Sequence, residues 1–212
     1  MAKKNELIQF AGQFQSVVEK ISRRLEAKET NVVEVIIYLA QSDAEAEFDG
    51  IVDAMAAVIP FQFTDKELTI QIPALPRPTL AELQAKFPGL GIKSIERDTS
   101  PVEAVTLKLA TVLRTNEESV GGANYERRIA PKLDIILGFQ QAMWLVGHQD
   151  EFPAFMALLG KIYIDFSGLV VVTDDDDRHF PYLSQDGTHW RMGWYWIRLG
   201  FSRHGRIAVS SK

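Results

Sequence analysis

Two short runs, HFPYLSQ and THWRMGWYW, flank the dipeptide Asp186-Gly187. That arrangement leaves this part of the chain little choice but an antiparallel hairpin, because Asp-Gly readily takes the backbone conformation of a two-residue turn. Pairing residues 180–185 with 188–193 sets Leu183 opposite Trp190 and Ser184 opposite His189. Pro181 then falls opposite Met192 at a hydrogen-bonded position that it cannot fill, which predicts a short first strand at a sheet edge. Strand periodicity sorts the second strand's side chains into two sets. Trp190, Met192, Trp194 and Trp196 share one face and are expected inside, where their burial would stabilise the sheet. His189, Arg191, Gly193 and Tyr195 share the other.

The second face is less readily explained by packing. Arg191 beside Tyr182 and Tyr195, with His189 near the hairpin tip, predicts a flat polar-aromatic surface suited to stacking and hydrogen bonding. Beyond it, GFSRHGR is a glycine-bounded loop presenting Arg203, His204 and Arg206. Residues 178 to 212 hold five arginines and one lysine against the single acid Asp186, so this segment is +5 while the rest of the chain sums to −10. Such a split points either to a partner with negative groups or to a basic end that docks on the chain's own acids. The density of aromatic and arginine residues at this end resembles the variable carboxyl-terminal binding domains of C-type-lectin-like proteins diversified by retroelements. That resemblance implies a ligand-binding surface there.

Upstream, the pattern alternates between helix and strand. Leu7, Phe10, Phe14, Val17, Ile21 and Leu25 recur at helical spacing over residues 5 to 28. VVEVIIYLA from Val32 reads as a buried strand, and Asp43 caps a predicted helix that runs to about Ile59 before Pro60. Leu68, Ile70 and Ile72 alternate as in a strand, and PALPRPT must be an extended connector. Thr79 and Glu82 form a capping box for a short helix. IKSIE from Ile92 is predicted as a strand. A second box, Ser100-Pro101-Val102-Glu103, predicts a helix to about Arg114. TNEESVGGAN, residues 115 to 124, reads as a mobile loop or boundary. A long apolar helix follows over 125 to 147, kinked or started late at Pro131, and EFPAFMALLG adds a short one. From Lys161 the character is β. The expected fold is α+β: an alternating α/β layer over 1–114, a loop and helices over 115–160, and a small antiparallel sheet over 161–212, with all of these in one compact domain as the alternative.

The chemistry that can be tested against spacing is sparse. GLGIKS, residues 89 to 94, lacks the order of a phosphate-cradling loop, and no nucleophile elbow, zinc-binding helix or calcium loop is present. With no cysteine in the chain, thiolate sites and disulfides are excluded. The amino terminus mixes polar with apolar residues and lacks the continuous core of a signal peptide, and the apolar runs fall short of the roughly 20 residues that span a bilayer. A cytoplasmic protein without a membrane segment is expected. The run Asp174, Asp175, Asp176, Asp177, followed by Arg178 and His179, is the sharpest local oddity. As a solvated turn it keeps a sheet end wet. As a metal site, Asp174, Asp176 and His179 would serve, and a metal-dependent hydrolase or nuclease could add Asp165. His179 and His189 are predicted on opposite faces, so they would not share a metal.

The leading reading is a non-enzymatic binding module with no cofactor. Its carboxyl-terminal β surface would capture a protein, glycan or nucleic-acid partner through Tyr182, His189, Arg191, Tyr195, Arg203, His204 and Arg206. A metal-assisted hydrolase and a structural protein that joins acidic body to basic end in an oligomer are the alternatives.

Overall fold

The computed structural model describes residues 62–65, 68–114 and 117–211, all within one compact unit, Ala56–Lys212. The helices expected at 5–28 and from Asp43, and the strand expected from Val32, lie outside the described residues. In chain order the elements begin with strands β1 (Gln62–Thr64) and β2 (Ile70–Ile72), helix α1 (Leu80–Lys86), β3 (Ile92–Asp98), β4 (Val105–Thr111) and β5 (Ser119–Val120). Helices α2 (Gly122–Ile129), α3 (Phe139–His148) and α4 (Pro153–Met156) follow. The chain then runs through β6 (Tyr163–Asp165), β7 (Leu169–Thr173), β8 (Arg178–Asp186), β9 (His189–Trp196), β10 (Phe201–Ser202) and β11 (Gly205–Ser211).

The fold is α+β. Nine of these strands form one mixed sheet in the order β1-β4-β11-β6-β8-β7-β3, with β2 also on β4 and β9 also on β8. The β6–β11 pair is parallel and the others are antiparallel. β5 and β10 form a separate two-stranded sheet. The strands expected to make a small carboxyl-terminal sheet are thus part of the large one, because β11 pairs with β4 from the first half of the described chain. No helix among the described residues is long and apolar enough to cross a membrane.

Local signals that agree with burial hold. Thr79 caps α1 as expected: its N–H donates to Glu82 Oε2 at 2.7 Å, and its hydroxyl accepts from the Glu82 N–H at 3.3 Å. Ile70 and Ile72 are buried on either side of exposed Gln71. The helix expected over 100–114 is instead β4. Val105, Leu107 and Leu109 are buried and alternate with half-buried Thr106 and Lys108, so the period is two, and cross-strand burial outweighs the box at Ser100. The Ser100 side chain does no capping. It is buried, hydrogen-bonded to Asp98, and lies where a Cβ on Gly138 would have to go.

The long helix expected over 125–147 is broken in two. After α2 the chain passes through a 3₁₀ segment containing Pro131, and Lys132 leaves helical geometry at φ −130°. Ile136 then bridges to Val209, and the Leu137 N–H donates to the Ala208 carbonyl at 3.0 Å. Two residues of strand-like pairing to β11 therefore replace helical bonds where proline had already removed a donor.

The sheet has a packed core on each face. On one, α2 supplies Tyr125 and Ile129 against Val170, Phe180, Ile207 and Val209. On the other, α3 and α4 supply Leu145 and Phe155 against Ile164, Leu183 and Trp190. Phe139 and Leu83 close the end near β3 and β7 with Ile92, Leu169 and Val171.

Candidate functional site

The hairpin forms, with its turn one residue later than expected. Asp186 pairs with His189, leaving Gly187 and Thr188 as the two-residue turn, and Gly187 takes φ +60°, as the first central position of a type II′ turn demands. Moving the turn by one slides the pairing by two: Leu183 meets Met192, Ser184 meets Arg191 and Pro181 meets Trp194. A slide of two leaves every side chain on its predicted face.

The first strand is neither short nor at an edge. β8 spans nine residues, with β9 along one side and β6 and β7 in succession along the other. Proline is tolerated there because of where its missing donor falls. The Pro181 carbonyl accepts from the Phe166 N–H at 2.9 Å, at the point where the chain leaves β6 and before β7 takes over the edge. No ladder bond is owed to an N–H at that junction.

The tryptophan face is core at one end only. Trp190 is 2% exposed, stacked on Phe155 with centroids 5.1 Å apart, while Trp194 is half-buried against Phe139 and Phe87. Trp196 is 39% exposed, beside His179 and under Arg198. It departs from the expected burial, and among the described residues no helix covers that end of the strand. Gln149 secures the buried end. Its Oε1 accepts from the Trp190 N–H at 2.6 Å and its Nε2 donates to the Trp190 carbonyl at 3.3 Å. Among the described residues β9 pairs with β8 alone, so this side-chain amide stands in for a missing neighbour strand.

The opposite face carries the residues singled out for binding, though not all of them. Tyr182, Tyr195, His189 and Arg191 lie on it together, the tyrosines half-buried and His189 and Arg191 exposed. Tyr182 and Tyr195 touch with centroids 5.4 Å apart, and Tyr182 lies across Gly193, where a Cβ would sit 2.8 Å from its ring. Arg203 and His204 are exposed in the turn between β10 and β11, and the His204 carbonyl accepts from the Tyr163 N–H. Arg206 is not part of this face. In the parallel register it pairs with Ile164, whose side chain belongs to the core on the other side.

The basic character of the carboxyl-terminal segment is largely answered within the chain. Arg178 bridges Glu96 and Glu126, Arg191 bridges Asp186, Arg198 bridges Asp177, Arg203 bridges Glu118 and Arg206 bridges Asp65. All five arginines of that segment therefore have an acid, four of them from outside it. The exposed pairs are weak, about 0–1 kcal/mol each, but they cancel the local field that a polyanion would need.

Beneath Tyr182 lies Asp165, paired with it directly across β6 and β8 and fully buried. Neither carboxyl oxygen has a hydrogen-bond partner. The Tyr125 hydroxyl, which donates to Ser167 Oγ at 2.9 Å, is near enough to favour the charged form slightly without making a bond of normal geometry. Burial dominates and pushes the carboxyl well above its ordinary range. The proximity of Asp165 in turn raises the hydroxyls of Tyr125, Tyr163 and Tyr195, on top of their own burial. Tyr163 stacks on Tyr195 at 6.2 Å and fills the space beside Gly205, where a Cβ would sit 2.8 Å from its hydroxyl oxygen.

The residues considered for a metal are spread out. Asp165 faces the tyrosine side, whereas His179 pairs with Trp196 on the other side, three positions along β8 from Tyr182. The aspartate run forms the β7–β8 turn: Asp175 accepts from the Thr173 hydroxyl and the Asp177 N–H, Asp176 binds Lys93 at 2.9 Å, and the Asp174 N–H donates to the Gly91 carbonyl. Among the described residues no group of three or more His, Asp or Glu is placed to hold a metal ion. His179 and His189 lie on opposite faces, as the register predicts.

Sequence reasoning missed Tyr125 and Tyr163 and did not place Asp165 with the tyrosines. The available signal was the alternation in KIYIDF, where Tyr163 and Asp165 must share a face opposite Ile162, Ile164 and Phe166, an acid inside an apolar strand. Fold and site together define an α+β protein with a tyrosine-walled, buried acid in the middle of its sheet. No family model, no curated protein and no solved structure matches the chain.

Proposed function

We propose that the chain is a binding module that takes a protein or glycan partner on the hairpin face formed by Tyr182, His189, Arg191 and Tyr195, with Arg203 and His204 at its margin. The observation that carries this reading is the asymmetry of the hairpin. One face is packed by α3 and α4, while the other leaves two tyrosines half-buried and a histidine and an arginine exposed around them. Tyrosine and arginine arranged in this way combine large contact area with directional hydrogen bonds. A nucleic-acid partner is less well supported, because the arginines are already closed on carboxylates.

The test uses glycan and peptide arrays probed with the full chain. The double substitution His189→Ala, Arg191→Ala changes only exposed side chains, and it should weaken capture of the array ligand by about tenfold or more. Equal capture by the variant, or no array ligand at all, would refute the reading.

A further inference from the structure

Thr64, Arg97, Asp98 and Trp194 each leave one buried polar atom without a hydrogen bond, but among the described residues only Asp165 has both carboxyl oxygens buried and unbonded. A carboxyl with no exposure and two unpartnered oxygens is expensive to keep, and such a group calls for a specific explanation. Its surroundings are selective. Tyr182 lies across from it, Tyr163 two residues along its own strand, Tyr195 next to both tyrosines, and Tyr125 comes from α2. Among the described residues no ion pair to Asp165 is present, and Arg203 and Arg206 hold Glu118 and Asp65 instead. Three of the four rings, those of Tyr163, Tyr182 and Tyr195, are half-buried, so each of these neighbours of the acid reaches solvent in part.

Aromatic faces carry negative potential and attract cations, and a carboxylate does the same, so the two contributions add for a cation and oppose an anion. A metal ion would want several oxygen ligands, and among the described residues no group of three or more His, Asp or Glu is placed to hold one. A slender organic ammonium needs one carboxylate and ring faces, and its alkyl stem can pass between tyrosines. We infer that Asp165 is the anionic anchor of a site for an alkylammonium group, entered by a swing of the Tyr182 or Tyr195 ring and walled by Tyr163, Tyr182 and Tyr195. This rests on the partner-binding reading of the same face and names the chemistry of the group that face admits. Burial disfavours the charged carboxyl in the empty protein; an arriving ammonium supplies a counter-charge that favours ionisation, and any proton the carboxyl holds leaves to solvent. The two glycines leave room for this arrangement. Tyr182 and Tyr163 lie where Cβ atoms on Gly193 and Gly205 would be, so each ring rests on bare backbone beside the acid.

The experiment follows the tyrosine ring signals by NMR during titration of the full chain with n-butylammonium, with n-butanol as the neutral isostere and guanidinium as the planar cation. Saturable shifts at Tyr163, Tyr182 and Tyr195 with butylammonium, absent with butanol and weakened about tenfold or more in Asp165→Asn, are expected. Should the variant not fold, the butylammonium-against-butanol contrast in the unsubstituted protein decides alone. Peptides with one lysine, run beside free amines, separate a partner's side chain from a small-molecule amine, and saturable binding of either kind supports the site. No saturable shift, equal response to butanol or guanidinium, or undiminished binding by folded Asp165→Asn would overturn it. Because the array test of the face alters His189 and Arg191 while this one alters Asp165, a face that binds partners without using the acid would fail only here.

Discussion

Replacing Asp165 by leucine should make the protein more stable. The two side chains have the same number of heavy atoms, and the change removes two buried oxygens that make no hydrogen bond. An unmade bond at a buried polar group costs about 1–3 kcal/mol, so relief of both, less some strain from fitting methyls beside Tyr125, Tyr182 and Ile207, gives a gain of about 2–4 kcal/mol at neutral pH. The pH dependence supplies a second check. Burial raises the folded-state pKa of Asp165 above its ordinary value of 3.8, so the folded protein retains a proton that the unfolded chain releases. The part of the carboxyl's cost that comes from ionisation is therefore absent below the unfolded value and grows as pH rises toward the folded one, on top of the cost of its unmade hydrogen bonds. The stability difference between Asp165→Leu and the unsubstituted protein should be smallest near about pH 4 and widen as pH rises. Urea unfolding followed by tryptophan fluorescence from about pH 4 to pH 8 measures both quantities. A leucine variant less stable at neutral pH, or a difference that does not change with pH, would show that the carboxyl is satisfied in the fold and would remove the reason to look for a ligand.

Gln149→Leu should strip the Trp190 N–H and carbonyl of their partners and cost about 2–4 kcal/mol. Denaturant unfolding gives the cost, and faster hydrogen exchange at the Trp190 amide locates it; unchanged exchange would mean that the amide does not substitute for a strand. Gly200→Ala places a Cβ 1.9 Å from the Val120 carbonyl oxygen on a residue at φ +78°, so the β5–β10 pair should open with a loss on the order of 3 kcal/mol or more. Exchange protection lost at Val120 and Phe201, with the main sheet's protection kept, is the expected signature.

The hairpin was legible because its signals are local and strong. A turn dipeptide and a period of two fix which residues share a face, and a turn displaced by one residue leaves that sorting intact. The site behind the hairpin was not legible, for a topological reason. Asp165 meets Tyr182 across seventeen residues, and Tyr125 is brought in by a helix forty residues earlier in the chain. Nothing in either segment's composition states that β6 runs beside β8 with α2 above them. The misread at Ser100 has the same origin. A capping box is a contact between neighbours, and it lost to Val105, Leu107 and Leu109, whose burial depends on β11 and β2, far away in sequence.

The charges of this molecule argue against one another in a useful way. The five carboxyl-terminal arginines drew attention as free binding groups, and each turned out to have an acid within reach, which makes most of them explicable without a partner. Asp165 was considered as a metal ligand, and neither of its carboxyl oxygens makes a hydrogen bond. Structural need accounts for a charge that is paired and wet. It does not account for a carboxyl that is buried without a hydrogen bond, because leucine or valine would fill the same place between Tyr125 and Ile207 at lower cost. The proposed ammonium site would give a reason to retain an acid there, and it directs the search for a ligand to the tyrosines around β6 rather than to the arginine loop beyond β10.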